Sequence, residues 1–164
     1  CQNLQEESTP PLAFFPAGRH APTLYDPAPK RGHLSNDDLI QAVRDLNGSP
    51  EEVLQNKELM DLLLPMIRAD FILSETIQKT EAPLQLDCPV PVFAGHQDPE
   101  VPINTLSQWQ DSCRQKIAIE IIQGDHFFLH NRAAVLTISQ KIATCLKPLL
   151  SLQADINTLG VRHG

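Results

Sequence analysis

The sequence predicts an α/β fold with a mostly parallel sheet, and three observations carry the prediction. Apolar runs of strand length, each bounded by turn residues or charge, stand at "LAFFPAG" (12–18), "CPVPVFAG" (88–95) and "KIAIEII" (116–122). From residue 85 onward the order is strand, loop, helix, strand, loop, helix, the grammar of strands joined by helical crossovers. Two polar clusters, "GHQDPEVP" and "QGDHFF", directly follow the second and third runs. Parallel sheets present their chemistry at those carboxyl ends of strands.

The first run, 12–18, reads as a buried strand ending in a turn. The proline-rich stretch that follows it reads as loop through residue 34. Three helices are expected next. Ser35 with Asp38 three residues later resembles a capping box, and Leu39, Ile40, Val43 and Leu46 form one face. In "NGSPEEVL", Gly48 is expected to stop that helix, Ser49 to cap the next and Pro50 to occupy its first position. In the third helix Leu59, Leu62, Leu63, Met66 and Ile67 keep a helical beat, and Pro65 is expected to kink it. Arg68 and Asp70 interrupt this apolar helix as a buried pair, a hinge or a surface pair. An amphipathic helix is expected at 103–113 and a closing helix at 132–150, burying Ala133, Leu136, Ile138, Ile142 and Leu146. Residues 151–164 show no periodic pattern and read as a disordered tail.

A length of 164 residues suits one domain, and 41% hydrophobic residues suffice for a core. The net charge of -7 argues against nucleic-acid binding and polybasic membrane attachment, both of which need Lys and Arg. No apolar run approaches the roughly 18 residues of a membrane span, and "CQNLQEESTPP" lacks the zones of a secretory signal. Cys1, Cys88, Cys113 and Cys145 lie far apart without a CxxC, which favours free thiols in a cytoplasmic protein. No cofactor or metal is expected. A zinc site needs three or four convergent ligands, and His20, His33, His96, His130 and His163 are scattered.

Asp98 lies four residues beyond Ala94, and His126 four beyond Ile122. The intervening helix returns the chain in the same direction, so both loops emerge at one edge of the sheet. There a carboxylate can orient an imidazole and stabilise its protonated form while it deprotonates a hydroxyl nucleophile. A turn aspartate or a packed histidine would explain either residue alone; their joint placement at neighbouring strand ends puts the relay on equal footing with those readings. Asp125 adjoins His126 in sequence and would orient it poorly.

"AGRHAP", "LNGSPEEVLQNKELMDLLLPMIRADF", "LDCPVPVFAGHQDPEVP" and "GDHFFL" together resemble type II thioesterases, α/β-hydrolases that accompany nonribosomal peptide and polyketide synthases. The likeness is read over residues 10 to about 149, as the carboxyl-terminal part only of such an enzyme. It implies a thioesterase domain portion over 1–150, a partial α/β-hydrolase with 36–80 as an inserted helical lid. It implies Asp98 as orienting acid and His126 as general base, with Leu62, Leu63, Met66 and Phe71 lining or supporting an acyl channel. The implied partner is an acyl or peptidyl carrier protein bearing phosphopantetheine.

The resemblance also calls for a serine in a GxSxG elbow, in the chain order Ser, Asp, His. The 164 residues contain no GxSxG. The expectation is therefore of a fragment, a truncated product or one part of a split protein, with an amino-terminal half supplied elsewhere and no activity from this chain alone. The alternative is an inactive hydrolase fragment that serves as a protein-binding module.

Overall fold

In the computed structural model, residues 10–24, 30–76 and 85–160 are described, residues 152–160 by their backbone alone. The parallel α/β arrangement expected from the sequence is present. Strands β1 (Pro91–Gly95) and β2 (Ala118–Ile122) pair in parallel, in register from Pro91↔Ala118 to Gly95↔Ile122. β1 is central: Val92, Phe93 and Ala94 are at most 1% exposed.

The 12–18 segment runs along the free edge of β1 but forms one bridge, Ala17 to Phe93, where a strand was expected. Proline explains the difference. Phe14 N–H donates to Pro89 O, Gly18 N–H to Phe93 O, and Phe93 N–H to Pro16 O. A continuous parallel ladder would also need N–H groups at residues 16 and 91, and both are proline.

Alternation along β1 sends its side chains into two packed layers. Val92 and Ala94 join Leu86, Val90, Leu106 and Trp109. Phe93 and Ile122 join Phe128, Ala134 and Ile138. The expected amphipathic helix is a 3₁₀ helix, Ile103–Ser112. Its three-residue repeat stacks Leu106, Trp109 and Ser112 on one buried side.

Helices α1 (Asn36–Asp45), α2 (Glu51–Leu54) and α3 (Lys57–Glu75) form a separate apolar cluster around Leu39, Val43, Leu54, Met60 and Leu64. Ser35 caps α1 by accepting from Asp38 N–H at 3.2 Å, as its sequence signature suggests. The helix ends just before Gly48, with Asn47 at φ 54° in the left-handed position. Asn47 N–H then bonds Arg44 O and Gly48 N–H bonds Val43 O, which closes a Schellman turn. Pro50, not Ser49, stands at the N-cap of α2. Asn56 caps α3, which continues through Pro65.

The inward face of α3 is also shifted from the expected one. Met60 and Leu64 are buried, with Ile67 and Phe71 packed beside them. Apolar residues lie on nearly every side of this helix, so periodicity alone does not single out the inward face. Arg68 makes neither of the expected pairings with Asp70. Its guanidinium donates to Gly32 O at 2.9 Å, Leu34 O at 2.6 Å and Asn36 Oδ1 at 2.8 Å, strapping the preceding loop to α3.

The closing helix α4 spans Arg132–Gly160, past the expected end at residue 150. It buries Ala134 and Ile138, while Ala133 and Leu136 are exposed. Residues 161–164 of the expected tail, 77–80 of the expected lid and Cys1 lie outside the described residues. Cys88, Cys113 and Cys145 are free thiols, and burial raises the pKa of the first two.

Candidate active site

The loops leaving β1 and β2 are bonded to each other before any site side chain is considered. His96 N–H donates to Ile122 O at 2.7 Å and Gln97 N–H to Gly124 O at 2.9 Å. This close approach depends on Gly95. A Cβ there would overlap the Asp125 carbonyl and lie 2.8 Å from that of Gly124. Both obstacles are backbone and cannot swing away. Gly95→Ala is expected to destabilise the fold by about 3 kcal/mol, read as a lowered chemical-denaturation midpoint. An unchanged midpoint would show that the two loops part without cost.

The structure brings Asp98 and His126 together at this edge. His126 Nδ1 lies 3.1 Å from Asp98 Oδ1 and 3.0 Å from Oδ2. The Asp98 side chain is wholly buried, whereas that of His126 is 29% exposed. Asp98 Oδ1 also accepts the N–H groups of Glu100 at 2.8 Å and Val101 at 3.2 Å. An ionised carboxylate only accepts, so Nδ1 carries the proton and neutral His126 keeps Nε2 as its basic atom. Gly18, at the end of the 12–18 segment, adjoins the same ring: a Cβ there would stand 3.8 Å from His126 Cε1. Three segment ends therefore meet at the imidazole.

Asp125 is used differently. It accepts Phe127 N–H at 2.9 Å and Asn47 Nδ2–H at 3.1 Å, which ties the histidine loop to the turn between α1 and α2. Phe127 meets His126 edge-on, with ring centroids 5.4 Å apart, and packs against Gly48. No sequence pattern signals these two contacts, or the ion pair of Arg31 with Glu100 beside Asp98. Only the "DPE" turn pattern marks Glu100 as a neighbour of the acid.

Burial pushes the Asp98 carboxyl up, but the hydrogen bond and charge of His126, with the two backbone donors, outweigh it and leave the pKa lowered. The His126 pKa is raised, first by its hydrogen bond to Asp98, against the opposing effect of burial. The charges of Asp98 and Glu100 add to the rise, and Arg31 opposes it. The stability gained by protonated His126 is therefore full below the unfolded value of 6.5 and is lost as pH rises through the higher folded value. That of Asp98 is present above 3.8 and is lost as pH falls through its lowered value. A base function runs the other way, because it needs neutral His126. If His126 is the base, kcat/KM should climb with a midpoint above 6.5. A midpoint at or below 6.5 would contradict the paired geometry.

The four residues expected along an acyl channel all lie on α3 but do not share one environment. Leu62 is 74% and Met66 58% exposed, on the side opposite Met60 and Leu64. Leu63 is half-buried. Phe71 packs on the helical cluster, with the Arg31 guanidinium 5.7 Å above its ring centre. A shallow cleft of about 270 Å³ lies elsewhere, lined by Arg31, Leu34, Asp38, Gln41, Ala42 and Asp45 among others, and contains neither Asp98 nor His126. Among the described residues no cluster of three His, Cys, Asp or Glu could hold a metal ion. No described helix is long and apolar enough to cross a membrane.

Comparison with known proteins gives this geometry a family context. Gramicidin S biosynthesis protein GrsT of Aneurinibacillus migulanus is 37% identical over 129 residues, 77% of this chain and 49% of that protein. A protein named linear gramicidin dehydrogenase LgrE, from Brevibacillus parabrevis, is 37% identical over 124 residues, 74% of this chain and 47% of its own length. The chain thus spans about half the length of these curated relatives. Among solved structures, ClbQ from the colibactin NRPS/PKS pathway aligns with a TM-score of 0.80 at 24% identity, covering 92% of this chain and 63% of ClbQ. YbtT, a type II thioesterase from the yersiniabactin NRPS/PKS pathway, aligns at 0.77 and 26% identity, covering 91% of this chain and 59% of YbtT.

The thioesterase domain model matches residues 1–143. That span corrects the expectation of a carboxyl-terminal part only, with its likeness starting at residue 10. The opening residues are polar and aperiodic and gave no signal by pattern, yet the family match begins with them. The chain belongs to the thioesterase domain family.

Proposed function

We propose that the chain provides the acid and base of a type II thioesterase, which cleaves acyl thioesters from the phosphopantetheine arms of acyl or peptidyl carrier proteins. In this reading Asp98 orients His126, and His126 Nε2 removes the proton from a serine hydroxyl. The serine attacks the thioester carbonyl, the pantetheine thiol leaves with a proton from His126, and water then releases the acid by the same relay. The 164 residues contain no GxSxG, so none of this chain's serines is assigned the nucleophile's role. The observation that carries the reading is the buried Asp98 carboxylate 3.0 Å from His126 Nδ1 at the ends of neighbouring parallel strands. The kinship with GrsT and the likeness to YbtT support the substrate class.

Helices α1 to α3 act as the lid over the acyl entrance, and Leu62, Leu63, Met66 and Phe71 line or support the acyl path. The exposed apolar side of α3 supports this, since an acyl chain needs a mostly apolar concave path. The test is turnover by the complete enzyme on an acyl series, offered both as carrier-protein thioesters and as simple oxygen esters. Carrier thioesters should give the higher kcat/KM, and Met66→Trp should penalise long acyl chains more than short ones. Equal kcat/KM for the two classes would overturn the substrate assignment. A uniform effect of Met66→Trp along the series would overturn the lid assignment.

The absence of GxSxG from the chain favours a second reading, a hydrolase-like module that binds a partner without catalysis.

A further inference from the structure

The acid loop is joined to the helical block by an ion pair that no step of the proposed reaction uses. Arg31 meets Glu100 with both ends of its fork, Nη1 to Oε2 at 2.7 Å and Nη2 to Oε1 at 2.9 Å. The two side chains are only 13% and 19% exposed. Two-point pairing of this kind fixes orientation as well as distance.

Each end of the pair is itself anchored. Glu75 of α3 accepts the N–H groups of both Arg31 and Gly32. Arg68 of α3 holds the carbonyls of Gly32 and Leu34, and Phe71 of α3 lies beneath the guanidinium. Three residues of one helix therefore place Arg31. At the other end, the backbone N–H of Glu100 donates to Asp98 Oδ1, an oxygen that also faces His126 Nδ1. Fixing the Glu100 side chain fixes the donor that sets the angle of the Asp98 carboxylate.

We infer that Arg31 and Glu100 are positioning residues, a strut that transmits the placement of α3 to Asp98 and through it to His126. The inference rests on the proposed function only for its kinetic consequence. The strut itself concerns the Asp98–His126 contact, which can be read without any substrate.

Single replacements would mix position with charge, because Arg31 and Glu100 act on His126 in opposite senses. Among the described residues, Asp98 also acts on the ring as its hydrogen-bond partner, and Asp125, its chain neighbour, is held by Asn47 and Phe127 N–H. The double replacement Arg31→Met with Glu100→Gln removes the strut and leaves the net charge unchanged. In the intact protein, the His126 midpoint followed by NMR should fall from its raised position toward 6.5. In the complete enzyme, kcat should drop about 10- to 100-fold with KM little changed, as expected for a misplaced catalytic group.

A His126 midpoint that stays put in a folded double variant would overturn the strut. If the double variant does not fold, Arg31→Lys keeps the charge but loses the fork. It should move the midpoint in the same direction by a smaller amount, and no movement would overturn the proposal equally. A falling midpoint in a complete enzyme without thioesterase activity would uphold the strut and sink the proposed function instead.

Discussion

Replacing Asp98 with asparagine in the complete enzyme is expected to lower kcat by about 10³- to 10⁴-fold and to change KM little. The hydrogen bonds around Asp98 dictate why. Oδ1 accepts the N–H groups of Glu100 and Val101, so an asparagine at 98 would keep its carbonyl oxygen there. Its NH₂ group would then face His126 Nδ1, where Oδ2 now lies at 3.0 Å. An amide N–H pointed at Nδ1 forces that atom to accept, which moves the imidazole proton to Nε2. A protonated Nε2 cannot take a proton from a serine. The near-isosteric replacement also removes the charge that helps raise the His126 pKa, so the midpoint should fall toward 6.5. Thermal unfolding should shift much less than activity, since both backbone bonds survive. Unchanged turnover on an acyl-carrier thioester would mean that Asp98 does not act as the orienting acid.

The meeting of Asp98 with His126 was legible because it follows from coarse features. Two apolar runs joined by a crossover must be parallel, and polar residues just past each run then share an edge. The segment at 12–18 was harder: its composition is that of a buried strand, but Pro16 and Pro91 leave the ladder without two donors. Composition misreported both its hydrogen bonding and its burial: in 12–18 only Pro16 is buried, and Leu12 is 40% exposed. The 3₁₀ helix escaped for a related reason. Leu106 and Trp109 fit either helical period at that spacing, and packing against the sheet selects the tighter one. On α3 the apolar pattern is nearly continuous, so only the neighbours of Met60 and Leu64 decide which side is inward. Arg31 and Glu100 stand 69 residues apart, one of them in a proline-rich stretch without periodicity. Nothing local ties such a pair together; only the arrangement of α3 against the acid loop does.

The 164-residue chain by itself is expected to release no measurable thiol from an acyl-pantetheinyl substrate. None of the described serines stands where a strand-to-helix elbow would place a nucleophile. Ser35 caps α1, Ser74 accepts from Arg19, Ser107 and Ser112 lie in the 3₁₀ helix, and Ser139 and Ser151 lie along α4. Ser49 stands in the turn before α2. None follows a strand in a GxSxG setting, and Ser112 is wholly buried. Asp98 and His126 can pass a proton, but without a nucleophile there is no acyl-enzyme to form. In a comparable serine hydrolase, loss of the nucleophile alone costs roughly 10⁶-fold in turnover. Supplying a GxSxG-bearing thioesterase segment, in trans or by fusion, should raise thiol release above background. His126→Ala in that assembly should abolish the gain. Robust turnover by the chain alone, lost on His126→Ala, would identify one of these serines as a nucleophile after all. Tight association with the added segment, without any turnover, would favour the binding-module reading over the enzyme.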